Sequence, residues 1–162
     1  MDCWIYDAPD EAATVALGGA LADVLPPGTV VALCGTLGAG KTRLVQAIAE
    51  ASGVDRRQVV SPTFVLMHHY SGRRQIDHLD AYRIRNEEEF LDLGSDEIFD
   101  GDGLVLVEWA DRVAGCLPQE RVEIEIEVTG PQSRRMKICS VGVRYDVIIQ
   151  QLRGRMGGKG DG

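Results

Sequence analysis

Apolar and polar positions alternate along this chain in a way that marks out a mixed set of strands and helices. Trp4-Ile5-Tyr6 reads as a short strand, and Pro9-Asp10-Glu11 opens a helix in which Ala12, Val15, Ala16, Leu17, Ala20, Leu21 and Val24 recur at helical spacing. Pro26-Pro27-Gly28 stops it. Residues 29–34 form an apolar run of strand type, and a second helix is expected over about 41–52, ending at Ser52-Gly53. Residues 64–70 and 75–80 read as a β-hairpin turning at Ser71-Gly72-Arg73, and 87–93 as a short acidic helix capped by Gly94. Leu104-Val105-Leu106-Val107 is apolar throughout, as a strand buried on both faces should be. Alternating strands follow over 121–128 and 134–139, joined at Thr129-Gly130-Pro131, and residues 145–152 suggest a last helix.

Helix–strand alternation at the start implies parallel strands, and the later hairpins imply antiparallel ones. The expected fold is therefore a three-layer α/β/α sandwich on a mixed, partly antiparallel sheet. One domain is expected over 1–153, with 154–162 a disordered Gly-rich tail.

Composition narrows the setting. The chain has 162 residues, 44% of them hydrophobic, and no apolar run approaching the length of a membrane span. An acidic N-terminus without a basic region is unlike a signal or transit peptide, so a cytoplasmic protein with no membrane partner is expected. The net charge of −8 argues against unaided binding to nucleic acid; Arg56-Arg57, Arg73-Arg74 and Arg134-Arg135 are only pairs. The four cysteines, Cys3, Cys34, Cys116 and Cys139, are far apart and suggest neither a disulfide framework nor a zinc site.

The chemistry is concentrated in Gly35-Thr36-Leu37-Gly38-Ala39-Gly40-Lys41-Thr42, which fits G-x-x-x-x-G-K-[ST] between an expected strand and an expected helix. Glycines let the backbone wrap a phosphate and aim N–H groups at it, while the helix start turns its positive dipole end toward the anion. Lys41 would reach the β- and γ-oxygens of a nucleoside triphosphate, and the Thr42 hydroxyl would join a Mg²⁺ shell. A glycine-rich surface turn is the plain alternative. Glu108, directly after the apolar strand, stands where a second metal-binding carboxylate belongs, although Asp is the usual residue; an ordinary strand-end carboxylate is the alternative. Trp109 reads as core or interface.

Asp80 could orient an attacking water, accept its proton or support the metal. Asp77 competes for that role, but strand alternation turns Ile76, His78 and Asp80 one way and Asp77 and Leu79 the other. Ser61 and Thr63 lie in a segment that either senses a γ-phosphate or is a simple Ser-Pro turn. His68, His69 and His78 have no metal-ligand spacing and read as structural.

Residues 33–42, Ser61-Pro62-Thr63-Phe64, His78-Leu79-Asp80-Ala81-Tyr82-Arg83 and Leu106-Val107-Glu108-Trp109 together resemble the TsaE (YjeE) family of bacterial ATPases, over about residues 9–140. The resemblance implies an ATPase required for threonylcarbamoyl modification of the adenosine beside the anticodon in tRNAs reading ANN codons. It implies TsaD and TsaB as partners, whose complex is reset by ATP hydrolysis, with tRNA met only through that complex. Carried over by position, Leu37, Gly38, Ala39, Gly40, Lys41 and Thr42 hold the phosphates of ATP, Thr42 and Glu108 hold Mg²⁺, and Asp80 assists at the γ-phosphate. Lys41, Asp80 and Glu108 form the implied catalytic set. Ser61 to Phe64 act like a switch loop, and Glu11 and Arg134 look similar to further ATP-contacting positions. Thr36 departs from the acidic residue common after the first Gly of the loop, and the tail has no family pattern.

Two other readings use the same loop. A small-molecule kinase of shikimate-kinase type should begin with the nucleotide-binding strand and carry an Arg-rich lid, whereas here a strand–helix unit comes first and hairpins follow. A nucleotide-gated binding module with incidental hydrolysis would need the same residues.

Overall fold

The computed structural model describes residues 1–60 and 66–157. The expected switch segment, Ser61 to Phe64, therefore lies outside the described residues. Among the described residues, seven strands form one sheet in the order β1-β7-β6-β2-β5-β4-β3. The strands are β1 (Cys3–Ala8), β2 (Val30–Gly35), β3 (Met67–Ser71), β4 (Gln75–Asp80), β5 (Leu104–Glu108), β6 (Arg121–Val128) and β7 (Arg134–Val141). Central β2 runs parallel to both β5 and β6, and β4 runs parallel to β5. The flanks β1–β7, β6–β7 and β3–β4 are antiparallel, so the sheet is mixed as expected.

Among the described residues, five α-helices accompany it: α1 (Glu11–Val24), α2 (Lys41–Ala51), α3 (Glu87–Asp92), α4 (Ser95–Phe99) and α5 (Asp146–Met156). On one face Leu17 and Leu21 of α1, Leu44 and Ile48 of α2 and Ile149 and Leu152 of α5 bury against Val31, Leu33, Leu104, Leu106, Ile124 and Ile138. On the other, Phe90 of α3 and Val113 of a 3₁₀ segment (Ala110–Cys116) pack on Val30, Ala32, Leu79, Val105 and Val107. These two cores sandwich the parallel strands, whose side chains are apolar on both sides. β6 is covered on one face only, with Val122, Ile124 and Ile126 inside and Glu125 and Glu127 exposed.

Several local expectations change. α1 is capped by Asp10, whose Oδ1 accepts from the Ala13 N–H at 2.9 Å, but its buried face is Thr14, Leu17, Gly18, Ala20 and Leu21. Ala12, Val15 and Ala16 of the expected stripe are exposed. Gly18 accounts for the shift, because it faces α2 with no room for a side chain: a Cβ there would stand 2.4 Å from the Ala47 Cβ. α4 was not foreseen: Gly94, read as a stop for α3, is left-handed (φ 83°) and also serves as the N-cap of α4. The tail boundary at Gly154 moves too, since α5 continues through Gly154 to Met156, and Met156 packs on the core.

A larger correction concerns the cysteines. Cys3 and Cys139 face each other across the β1–β7 pair and are joined by a disulfide. Their sequence separation of 136 conceals a pairing that only the sheet register creates. Cys34 and Cys116 are free thiols. Among the described residues, no helix is long and apolar enough to cross a membrane.

Candidate functional site

The site forms where β2, β5 and β4 end side by side, because parallel strands bring their carboxyl ends to one edge of the sheet. The chain leaves β2 at Gly35 and enters α2 at Lys41, with Gly35, Gly38 and Gly40 at φ 154°, 78° and 109°. At Gly35 a Cβ would sit 2.7 Å from the Ile126 carbonyl oxygen, so any side chain there would push the loop off β6.

Lys41 is 4% exposed, and its Nζ donates to the carbonyls of Gly35 (2.6 Å) and Thr36 (3.0 Å). The same ammonium lies 3.9 Å from the centre of the Trp109 ring. Burial pulls its pKa down, opposed by the negative charges of Glu108, Asp80 and Asp111. Trp109 is therefore more than packing: with φ 57° it turns its ring under Lys41 and against Tyr82, 4.8 Å away.

The Thr42 hydroxyl contacts both carboxylate oxygens of Glu108, at 2.9 and 3.0 Å. Glu108 is 3% exposed, and its Oε2 lies 2.5 Å from His78 Nε2, while His78 Nδ1 lies 3.2 Å from the Tyr70 hydroxyl. A carboxylate only accepts, so Nε2 carries a proton toward Glu108, and Nδ1 shares a hydrogen bond with the Tyr70 hydroxyl. The reading of His78 as structural did not include this contact with Glu108. Alternation had placed it on the face of Asp80, which was the available signal.

Asp80 is opposite Glu108 in the β4–β5 register, is 1% exposed, and accepts from the Tyr82 N–H at 2.8 Å. It lines a cavity of about 400 Å³ together with Leu37, Gly38, Ala39, Gly40, Lys41, Thr42, Glu108 and Trp109. Asp77 is on the other face of the sheet, paired with His69, and is not part of this cavity.

Glu11 and Arg134 lie elsewhere. They line a neighbouring cavity of about 330 Å³ with Thr14, Ala39, Gly40, Arg43 and the Pro131-Gln132 turn. Arg134 Nε donates to the Ala39 carbonyl at 2.8 Å, so β7 braces the loop from behind. Arg43 joins both cavities and was not singled out; nothing marked it beyond its place after Thr42.

Among the described residues, no group of three or more His, Cys, Asp or Glu is placed to hold a metal ion. The Thr42 hydroxyl and the Glu108 carboxylate still suit Mg²⁺, which commonly takes one or two protein oxygens and completes its octahedron with phosphate oxygens and water. Next to them are N–H groups at a helix start, a buried ammonium and a second carboxylate. That combination can bind a polyphosphate and a hard cation together.

A family model described as "Threonylcarbamoyl adenosine biosynthesis protein TsaE" matches residues 8–136. The chain is 41% identical over 150 residues to the Bacillus subtilis tRNA threonylcarbamoyladenosine biosynthesis protein TsaE, covering 92% of each chain. It is 37% identical over 139 residues to the Treponema pallidum protein of the same name, covering 86% of this chain and all of that one (100%). The crystal structure of Bacillus subtilis YdiB superposes with a TM-score of 0.79 at 32% identity, covering 95% of this chain and 96% of that one.

Proposed function

Since this chain belongs to the TsaE family and so to tRNA threonylcarbamoyladenosine biosynthesis, we propose that it is a Mg²⁺-dependent ATPase whose hydrolysis resets a TsaD–TsaB partner complex. The observation that carries this reading is the contact of the Thr42 hydroxyl with Glu108 at 2.9 Å, beside the buried Lys41. It brings the two implied metal ligands together at the mouth of the loop.

Each residue has a task in this scheme. The N–H groups of residues 37–42 surround the phosphates, and glycine at 38 and 40 permits their left-handed turns. Lys41 exchanges its bonds to the Gly35 and Thr36 carbonyls for the β- and γ-oxygens. Thr42 and Glu108 would hold Mg²⁺, which supplies neutralisation of the phosphate charge. His78 fixes the Glu108 carboxylate in place, and Asp80 orients the water that attacks the γ-phosphorus. Tyr82 and Trp109 wall the cavity. The tRNA is reached through the partners, in keeping with the net charge of −8.

ATP turnover measured with and without TsaD and TsaB tests the proposal. Lys41→Ala should weaken ATP binding or turnover, and Glu108→Ala should abolish Mg²⁺-dependent turnover while sparing some nucleotide binding. If the partners change neither turnover nor nucleotide affinity, the partner-coupled reading fails. Full turnover in Glu108→Ala would move the metal ligand elsewhere, with Asp80 first in line.

A further inference from the structure

Arg43 lies outside the loop motif and outside the residues carried over from the family, yet it lines both cavities of the site. It is the third residue of α2, and its Nε donates to Glu11 Oε1 at 2.5 Å, across the gap to the start of α1. Arg56 approaches the same oxygen at 3.7 Å. The Arg43 side chain is 19% exposed, against 63% for Glu11. Its Nη1 is buried and has no hydrogen-bond partner among the described residues. Guanidinium N–H groups are always charged donors, and leaving one buried without an acceptor is costly, so a turn of the guanidinium toward an acceptor in the cavities it lines would relieve that cost.

The cavities say where that acceptor comes from. Arg43, Ala39 and Gly40 line both the 400 Å³ cavity with Lys41, Thr42, Asp80 and Glu108 and the 330 Å³ cavity with Glu11 and Arg134. A nucleotide with its terminal phosphates in the first and its nucleoside in the second would pass Arg43 at the junction. The other cation of the second cavity is already engaged: Arg134 gives Nε to the Ala39 carbonyl and Nη1 to the carbonyls of Gly130 and Ser133.

Building on the nucleotide-binding proposal above, we propose that Arg43 is a further nucleotide-binding residue that donates through Nη1 to the α-phosphate while Glu11 holds its Nε. The α-phosphate is common to ATP and ADP. An arginine on it should therefore tighten both nucleotides equally, unlike Lys41, which faces the β- and γ-oxygens.

Calorimetric titration of the full chain with ADP and with ATP, in the presence of Mg²⁺, separates these roles. Arg43→Ala should raise both dissociation constants by about tenfold or more and by the same factor, as expected for loss of a charge-assisted hydrogen bond. Arg43→Lys keeps the charge but not the planar fork, and should fall between wild type and Arg43→Ala. Circular dichroism melts of each variant establish that it is folded. ADP affinity within twofold of wild type in Arg43→Ala overturns the inference, as does a loss confined to ATP, which would put Arg43 at the γ end. Wild-type protein that binds neither nucleotide overturns the nucleotide reading itself, and this inference with it.

Discussion

Two adjacent glycines in α1 should respond to alanine with opposite signs. A Cβ on Gly18 would stand 2.4 Å from the Ala47 Cβ, 3.0 Å from the Ala47 carbonyl carbon and 3.1 Å from the Ile48 nitrogen, whereas one on Gly19 meets nothing within 4 Å. Ordinary contact begins near 3.4 Å, so Gly18→Ala must part α1 from α2 by about 1 Å. Neither helix can yield easily: Leu17 and Leu21 anchor α1, and Leu44, Val45 and Ile48 anchor α2, all 0% exposed. Overpacking of this kind costs about 1–3 kcal/mol. Alanine returns about 1 kcal/mol of helix propensity at either site. The balance is a loss of up to about 2 kcal/mol for Gly18→Ala and a gain of about 0.5–1 kcal/mol for Gly19→Ala. Urea unfolding followed by circular dichroism reads both, provided the m-value is unchanged. A gain in Gly18→Ala equal to that of Gly19→Ala would refute the close approach of the two helices. Because α2 begins at Lys41, a displaced α2 should also weaken nucleotide binding.

The remaining predictions concern buried or titrating groups. His78→Ala removes a partner from the buried Glu108 carboxylate and should cost about 3 kcal/mol or more, while Tyr70→Phe, which removes one neutral hydrogen bond, should cost about 1 kcal/mol; equal losses in a denaturation series would contradict the network. The Cys34 thiol is pushed up to about 11 by burial first and then by the charge of Asp111, so its alkylation rate should still climb tenfold per unit between pH 8 and 9.5. A plateau near pH 9 in mass-spectrometric kinetics would count against that environment, and alkylation under non-reducing conditions should label Cys34 and Cys116 alone. Asp55 caps the 3₁₀ turn Arg56–Gln58, and hydrogen bonds from Arg57 lower its pKa from 3.8 to about 2. Its folded pKa is below its unfolded value, so its contribution is present above pH 3.8 and is lost as pH falls toward 2. Carboxyl NMR titration should find that midpoint, and an ordinary value near 3.8 would remove the cap.

Much of the fold was legible because local pattern and tertiary demand agree in its centre. The apolar run 104–107 must be buried on both faces, and the alternation in β6 must face one way, whatever surrounds them. Agreement failed where partners distant in sequence decide. The period of α1 was readable but its phase was not, since Gly18 faces inward for the sake of Ala47, and nothing before the fold reveals that neighbour. Cys3 meets Cys139 only through the β1–β7 register, and α4 is too short to show a period of its own.

The candidate site divides along the same line. Residues 35–42 announce themselves because consecutive backbone groups do the binding, and a contiguous job leaves a contiguous pattern. Glu108, Asp80 and His78 are assembled differently, from the ends of parallel strands whose register puts Asp80 opposite Glu108 and His78 opposite Leu106. Alternation along β4 implied that only one of Asp77 and Asp80 could share the face of the loop, and the fold puts Asp80 there. That His78 would reach Glu108, and Arg43 reach Glu11, depends on pairs 30 and 32 residues apart. The side chains that bind in sequence were thus readable first, and those that hold them in place became readable only once the strands were laid side by side.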